Sequence, residues 1–364
     1  MEDPEKLLEK SLGKIKQETG IIKDFSVFEL DAKPRRVFVR EEMKQIINYL
    51  AYYLISKVPE SVLVLGFRGT GKTASVLASV DAARNKGGGM VFYVNMREAR
   101  TMNEVYGVFT GKTGRGLSSS ELLTEITKLC ASPPSFVVLD EADFAFPKML
   151  DDLLYSLTRR TKAFVIMVSQ DLHLFEKLSD SVRSSLQPHV LFFREYTQEE
   201  LYEILKLRAE DGLTEWDDTA LRLLSALVTK DYRGDARVAI RALYYTAKWG
   251  KGWGSDVVES AVKEAVKDIE RDTVNRLSVR DLITLLSVVE AEDTASAYSK
   301  ASEMLSKIGF SNSKPTFFRT LSYLQSLGLI VLVKKKVNKT YTFEAKSLLS
   351  DPSITREALE RALV

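Results

Sequence analysis

Cysteine and histidine are scarce in this chain of 364 residues. Its only cysteine is Cys130, so an intramolecular disulfide is excluded. The only histidines are His173 and His189, which leaves too few ligands for a zinc site of the Cys/His type. A chain without disulfides is typical of a reducing compartment, so we expect a cytoplasmic protein.

Long apolar runs and a strong excess of one charge are also missing. No stretch approaches the roughly 20 apolar residues that a membrane-spanning helix needs. The chain begins MEDPEKLLEK, which is charged where a signal peptide would be apolar. We therefore expect a soluble protein with no membrane partner. The formal net charge is only +2, so any surface for nucleic acid has to be local.

Strand and helix patterns alternate in the first half of the chain. Helical patterns occur at 41–57, 72–85 and 118–130, and short apolar runs predict strands at 61–65, 90–94, 136–139, 163–168 and 190–193. Fully apolar strands that alternate with helices are typical of a parallel sheet covered on both faces. We therefore predict an α/β nucleotide-binding domain over residues 31–196, after a lead-in at 1–30.

The rest of the chain is predicted to form two further domains. A capping box at Thr197 and Glu200 opens an all-helical stretch, which we assign to a helical domain at 197–275. Residues 276–364 contain three helical patterns followed by two short strands. Three helices and a two-stranded ribbon are the outline of a winged helix.

The segment from Gly66 to Thr73, GFRGTGKT, matches the phosphate-binding P-loop pattern and lies between a predicted strand and a predicted helix. Glycines let backbone N–H groups face phosphates, and the helix N-terminus adds partial positive charge. Lys72 is predicted to reach the β- and γ-phosphates of ATP, and the Thr73 hydroxyl to bind Mg²⁺. A similar run at Gly111 lacks the glycine five residues earlier, so we interpret it as a surface loop.

Two carboxylates follow the third predicted strand. Asp140 is predicted to hold Mg²⁺ opposite Thr73, and Glu141 to orient the attacking water. The same residues spell Asp-Glu-Ala-Asp143, but a helicase of that kind needs a second sheet domain, and this chain continues with helices. Alone, the pair would also fit an exposed acidic turn; its position after a P-loop favours the catalytic interpretation.

The predicted winged helix has a local excess of basic charge, because no Asp or Glu occurs between Glu303 and Glu344. Lys314, Thr316 and Arg319 lie on the helix expected to enter a major groove. Lys334, Lys335 and Lys336, with Lys339, are expected on the turn of the wing, against a phosphate backbone. Alternatively, these lysines protect an exposed ribbon edge against aggregation.

Taken together, these motifs resemble the origin-recognition type of replication initiator, the AAA+ proteins with a C-terminal winged helix found in archaea and eukaryotes. The resemblance covers roughly residues 30–345. It is carried by Arg40-Glu-Glu42, the P-loop, Asp140-Glu-x-Asp143, Val168-Ser-Gln-Asp-Leu172, Ser184-Ser-Leu186 and Gly234-Asp-Ala-Arg237. It implies an AAA+ module with a helical lid at 197–275, and a divergent archaeal member of the family.

The resemblance also implies site residues. It makes Arg237 the second sensor of the nucleotide, a residue that from its own context would more often form a surface ion pair, and Gln170 the first sensor. The catalytic set becomes Lys72, Asp140, Glu141, Gln170 and Arg237. The nucleotide-binding set becomes Arg40, Gly66, Arg68, Gly69, Thr70, Gly71, Lys72, Thr73, Ala74, Tyr202 and Arg237. Arg115 falls in the segment where the family carries a DNA-contacting insertion.

Two positions depart from the family pattern. The first sensor is usually Asn, and this chain has Gln170; the arginine that usually reaches a neighbouring subunit is replaced by Ser181, with Arg183 two residues on. These departures predict a slow ATPase that acts as a nucleotide switch.

The function implied by the resemblance is ATP-controlled binding of origin duplex DNA, in the nucleoid. ATP or ADP and Mg²⁺ are the expected ligands. Paralogous initiator subunits and a replicative helicase are the expected protein partners. A nucleotide-gated transcription regulator and an ATPase of a mobile element would need the same sites, so both alternatives stay open.

Overall fold

The computed structural model describes residues 7–8, 20–30, 34–337 and 340–363. The chain divides into two compact units, Met1–Ser255 and Asp256–Val364. The division falls inside the segment 197–275 assigned to the lid, and the domain boundaries drawn from the sequence stay predictions. In the described part of the chain, no helix combines the length and apolarity required to cross a bilayer.

The first unit is built on a five-stranded, fully parallel sheet. Its strands are β1 (Ser61–Gly66), β2 (Met90–Asn95), β3 (Ser135–Asp140), β4 (Phe164–Ser169) and β5 (His189–Phe193). The strand order is β2-β3-β4-β1-β5, and β1, β3 and β4 are buried along their whole length. Parallel strands end at the same sheet edge, so the P-loop after β1 lies beside the ends of β3 and β4.

Helices cover both faces of this sheet, as predicted. They are α1 (Glu41–Ser56), α2 (Lys72–Gly87), α3 (Met102–Thr110), α4 (Ser119–Leu129), α5 (Pro147–Arg160), α6 (Leu174–Lys177) and α7 (Asp180–Leu186). One apolar core joins the sheet to α1 and α2, and a second joins it to α3 through α7. Capping boxes at the starts of α3 and α4 satisfy the exposed N–H groups of these helices.

Three helices follow the sheet within the first unit. They are α8 (Gln198–Gly212), α9 (Asp218–Asp231) and α10 (Ala236–Trp249). The predicted capping box at Thr197 and Glu200 opens α8. Asp217 caps α9, and Asp235 caps α10, each through its carboxylate.

The second unit has the predicted outline of helices and a ribbon. Its elements are α11 (Ser255–Asn275), α12 (Val279–Glu290), α13 (Thr294–Lys307), α14 (Lys314–Ser326), β6 (Ile330–Val337), β7 (Thr340–Ser347) and α15 (Ser353–Leu363). β6 and β7 pair antiparallel, and α12 packs against α13, α14 and α15. The buried side chains of α14 are Phe317, Thr320, Leu321 and Leu324, one face of a helix.

The placement of the wing lysines on a turn is wrong. β6 extends to Val337, which pairs with Thr340, so the ribbon is longer than the apolar run at its start suggested. Lys334, Lys335 and Lys336 therefore lie within β6 and pair with residues of β7.

Candidate nucleotide site and nucleic-acid interface

The P-loop has the backbone that its sequence predicts. Gly69 and Gly71 adopt the left-handed conformation, with φ of +71° and +77°. A side chain at Gly71 would also place its Cβ 2.0 Å from the Tyr196 hydroxyl. Only glycine fits there, so the loop can curl tightly and present its N–H groups at the start of α2. Ala74 follows in the first turn of α2, and Thr70 is buried with its hydroxyl donating to the Phe67 carbonyl at 2.8 Å.

The Lys72 side chain lies inside the curve of this loop. Its Nζ donates to the carbonyl oxygens of Gly66 and Phe67 at 2.8 and 2.7 Å. Burial lowers the pKa of Lys72 to about 8, against the opposing charges of Asp140 and Asp143. The ammonium is thus held where phosphate oxygens would meet the loop.

The two residues predicted to hold Mg²⁺ touch each other. Thr73 at the start of α2 donates its hydroxyl to Asp140 Oδ2, at the end of β3, at 2.9 Å. The same carboxylate oxygen accepts a hydrogen bond from the Tyr93 hydroxyl of β2 at 2.8 Å. A hydroxyl and a carboxylate are hard oxygen donors of the kind Mg²⁺ prefers, so these side chains fit the ion. Tyr93 orients the carboxylate, a role that the sequence reasoning missed.

Glu141 occupies a strained backbone position beside this pair. Its φ is +49°, in the left-handed region that non-glycine residues rarely adopt. Its Oε2 atom is buried without a hydrogen-bond partner among the described residues, and Arg97 Nη1 lies 3.9 Å away. Burial raises the pKa of Glu141, against the opposing charge of Arg97. A carboxylate that lacks a strong partner is suited to polarise a water molecule.

Gln170 joins the end of β4 to the P-loop. Its Oε1 accepts from Arg68 Nε at 3.1 Å, and its backbone N–H donates to Asp143 Oδ1 at 3.2 Å. Ser169 also donates its hydroxyl to Asp143 Oδ1, at 2.8 Å. Asp143, the last residue of the Asp-Glu-Ala-Asp run, therefore holds the segment that contains Gln170 in place.

Arg237 lies at the start of α10, against the P-loop. The Ala236 N–H donates to the Gly69 carbonyl at 3.1 Å, which brings the signature Gly234-Asp-Ala-Arg237 to the loop. Arg237 Nε donates to Asp235 Oδ1 at 3.0 Å, and Nη2 donates to Oδ2 of the same carboxylate. The guanidinium is close to the phosphate loop, and Asp235 is its partner in this structure.

The predicted nucleotide-binding set also includes Arg40, which contacts the P-loop, and Tyr202, which lies on α8. The Arg40 side chain is fully buried. Its Nη1 donates to the Thr70 carbonyl at 2.9 Å, and its Nε and Nη2 donate to the Glu42 carboxylate. Arg40 therefore supports the P-loop through the backbone of Thr70. Tyr202 is buried in α8 and donates its hydroxyl to Asp218 at 2.8 Å. Direct contact of either residue with nucleotide stays a prediction.

Ser181 and Arg183 are both on α7. The Ser181 hydroxyl lies 3.1 Å from that of Ser179, and Arg183 forms an ion pair with Asp180. The Arg183 side chain is 40% exposed, and its Asp180 partner is almost fully exposed, so this pair is a weak restraint. Service of Arg183 as a trans arginine stays a prediction.

The predicted DNA-binding residues have the exposure that contact with DNA requires, where they are described. Lys314 is exposed at the start of α14, and Arg319 is exposed near its middle. Thr316 is partly exposed, with its hydroxyl 2.9 Å from that of Ser313. Arg115 is exposed in the loop between α3 and α4. Lys334 is exposed in β6. The side chains of Lys335 and Lys336, and the whole of Lys339, lie outside the described residues.

Comparison with known proteins decides the family. Residues 57–178 match the AAA domain family. The ORC1-type DNA replication protein 1 of Aeropyrum pernix is 30% identical over 342 residues, covering 84% of this chain and 85% of that protein. The chain belongs to the ORC1-type DNA replication proteins. ORC1-type DNA replication protein 3 of Sulfurisphaera tokodaii is 29% identical over 344 residues, covering 87% of each chain.

Solved structures of similar proteins have the same fold as this chain. The solved structure of the Aeropyrum pernix ORC1 protein in complex with DNA covers 94% of this chain and 97% of its own, with a TM-score of 0.75 and 27% identity. Cdc6p from Pyrobaculum aerophilum, at 22% identity and a TM-score of 0.59, shares the fold. The predicted fold class, an AAA+ α/β module with a C-terminal winged helix, is confirmed.

Proposed function

We propose that this ORC1-type protein is an ATP-controlled initiator that binds duplex DNA at replication origins and helps to recruit the replicative helicase. The observation that carries the proposal is the 2.9 Å hydrogen bond between Thr73 and Asp140. It brings the two residues predicted to hold Mg²⁺ together beside Lys72, which is predicted to bind the phosphates. Exposed basic residues on α14 supply a surface suited to the DNA backbone.

Each group at the ATP site has a definite task in this proposal. The P-loop N–H groups and Lys72 bind the phosphates, and Thr73 and Asp140 hold Mg²⁺. Mg²⁺, when bound, neutralises negative charge that develops on the phosphates. Glu141 accepts a proton from, or polarises, the attacking water, and Gln170 positions that water. Arg237 senses the γ-phosphate from the side of α10.

Hydrolysis is proposed to be slow in the isolated protein. An arginine from a neighbouring subunit is worth roughly 10³–10⁵ in the rate of phosphoryl transfer. Ser181 stands where this family usually carries that arginine, so the protein acts as a switch that changes state slowly. A paralogous subunit could supply the missing charge, which makes such subunits the expected partners.

Mapping the DNA that the protein occupies in its native cells tests the function. Binding at a few discrete loci that coincide with the starts of nascent strands is expected of an initiator. Binding scattered over promoters would support a transcription regulator instead, and binding confined to loci beside a recombinase gene would support a mobile-element ATPase. Either of these patterns would contradict the proposal.

A further inference from the structure

Positively charged side chains converge at the P-loop. The Arg237 charge lowers the pKa of both Arg68 and Lys72, and the Arg68 charge also lowers that of Lys72. Burial, with the charges of Arg237 and Arg97, lowers the pKa of Arg68 to about 10. Like charges repel strongly in a partly dehydrated site, so an anion there is favourable.

Asp235 is placed to be that anion. Its carboxylate lies so close to the P-loop that a Cβ on Gly69 would be 1.9 Å from Oδ1. The same carboxylate accepts from Nε and Nη2 along one edge of the Arg237 guanidinium and caps α10 through the Arg237 N–H at 2.9 Å. Burial would raise the pKa of Asp235, but the Arg237 charge and hydrogen bonds hold it below its usual value. The carboxylate is therefore a stable negative charge against the loop.

We propose that Asp235 is a positioning residue that holds Arg237 in the absence of a γ-phosphate and gives it up when the triphosphate binds. The inference rests on the proposed ATP site and adds its regulation. A carboxylate and a phosphate recognise a guanidinium through the same paired hydrogen bonds, so they compete for it. Incoming phosphate also repels the Asp235 charge, which favours the exchange.

The exchange gives the protein a way to tell ATP from ADP. ADP has no γ-phosphate to draw Arg237 away, so the pair with Asp235 persists. In this state the start of α10 contacts the loop in two ways. The Asp235 carboxylate packs against Gly69, and the Ala236 N–H donates to the Gly69 carbonyl. With ATP, the guanidinium changes its partner, and the start of α10 meets the loop through a different set of contacts.

Replacement of Asp235 by asparagine tests the proposal. Asparagine caps a helix as well as aspartate does and has nearly the same size, but it carries no charge to compete with phosphate. We expect Asp235→Asn to bind ATP about ten-fold more tightly, which corresponds to about 1.4 kcal/mol, while its affinity for ADP changes much less. The ratio of the two dissociation constants, measured by calorimetry with Mg²⁺, is the readout.

Two further variants control the experiment. Asp217→Asn changes the matched cap of α9, whose carboxylate accepts from the N–H groups of Thr219 and Ala220 at 2.6 and 3.0 Å, and it should leave the ratio unchanged. Arg237→Ala removes the contested side chain, so adding Asp235→Asn to it should have no effect on the ratio. An equal change in ATP and ADP affinity, or the same ratio change without Arg237, would overturn the proposal. A wild-type protein that binds neither nucleotide would instead overturn the ATP site itself.

Discussion

Replacing Lys72 by methionine should abolish ATP binding and yet leave the nucleotide-free protein about as stable as the wild type. Lys72 is only 8% exposed, and burial lowers its pKa from 10.5 to about 8. Keeping the buried ammonium charged at pH 7 therefore costs the folded state about 3 kcal/mol. Methionine has a similar length and no charge, so it removes this cost.

The loss of hydrogen bonds offsets that gain. The Lys72 ammonium donates to two carbonyl oxygens, and a hydrogen bond from a charged group contributes about 1.5–3 kcal/mol. The two effects are of similar size, so we expect Lys72→Met to change the free energy of unfolding by less than about 2 kcal/mol without nucleotide. Wild-type protein should gain about 2.7 kcal/mol when ATP is present at one hundred times its dissociation constant, and the variant should gain nothing.

The pH dependence of stability provides a second test of Lys72. Between pH 8 and 10.5 the unfolded chain still holds the Lys72 proton, while the folded chain has lost it. The contribution of Lys72 to nucleotide-free stability therefore rises with pH across this window, and Lys72→Met lacks that rise. ATP binding by the wild type changes in the opposite direction, because it needs the ammonium, and it should weaken above pH 8.

Chemical denaturation with and without ATP and Mg²⁺, at pH 7 and pH 9.5, measures all of these quantities. A variant that is more than about 2 kcal/mol less stable than wild type without nucleotide would refute the argument from burial. A variant that is still stabilised by ATP would refute the assignment of the phosphate site.

Three other expectations concern DNA and hydrolysis. Replacing Lys334, Lys335 and Lys336 by alanine should weaken DNA binding equally across sequences and reduce the salt slope by up to about one per lost phosphate contact; an unaltered slope would remove β6 from the interface. Arg319→Ala should instead change sequence preference, measured by selection from random duplexes, and an unchanged preference would exclude base contact. Steady-state ATPase of wild type should stay slow as protein concentration rises. Activity that rises steeply, and is lost in Arg183→Ala, would show that Arg183 acts in trans.

Local patterns in the sequence were sufficient to predict the parts of the site that are formed by neighbouring residues. The P-loop and the capping box of α8 depend on spacings of a few residues, and the structure has them as predicted. Helix α5 was overlooked although Leu150, Leu153, Leu154 and Leu157 have helical spacing and Pro147 occupies its first turn.

Contacts between residues distant in sequence could not be predicted in the same way. Tyr93 reaches Asp140, and Asp235 packs against Gly69, because the topology of the sheet and the position of α10 bring them together. In the sequence, Tyr93 is one aromatic residue in an apolar strand. Asp235 reads as an ordinary helix cap, a role that it also has. Only the three-dimensional arrangement reveals that its carboxylate also packs against Gly69 of the P-loop.

Control of DNA binding by nucleotide is the central claim, and fluorescence anisotropy on a labelled duplex tests it most directly. The duplex would be one that the wild-type protein selects from a random library, titrated at fixed salt with Mg²⁺ and either ATP or ADP. We expect at least about five-fold tighter binding with ATP, within the usual range of coupling between sites, and no difference for Lys72→Met. Equal affinity of the wild type in ATP and ADP, or a difference that persists in Lys72→Met, would contradict the account.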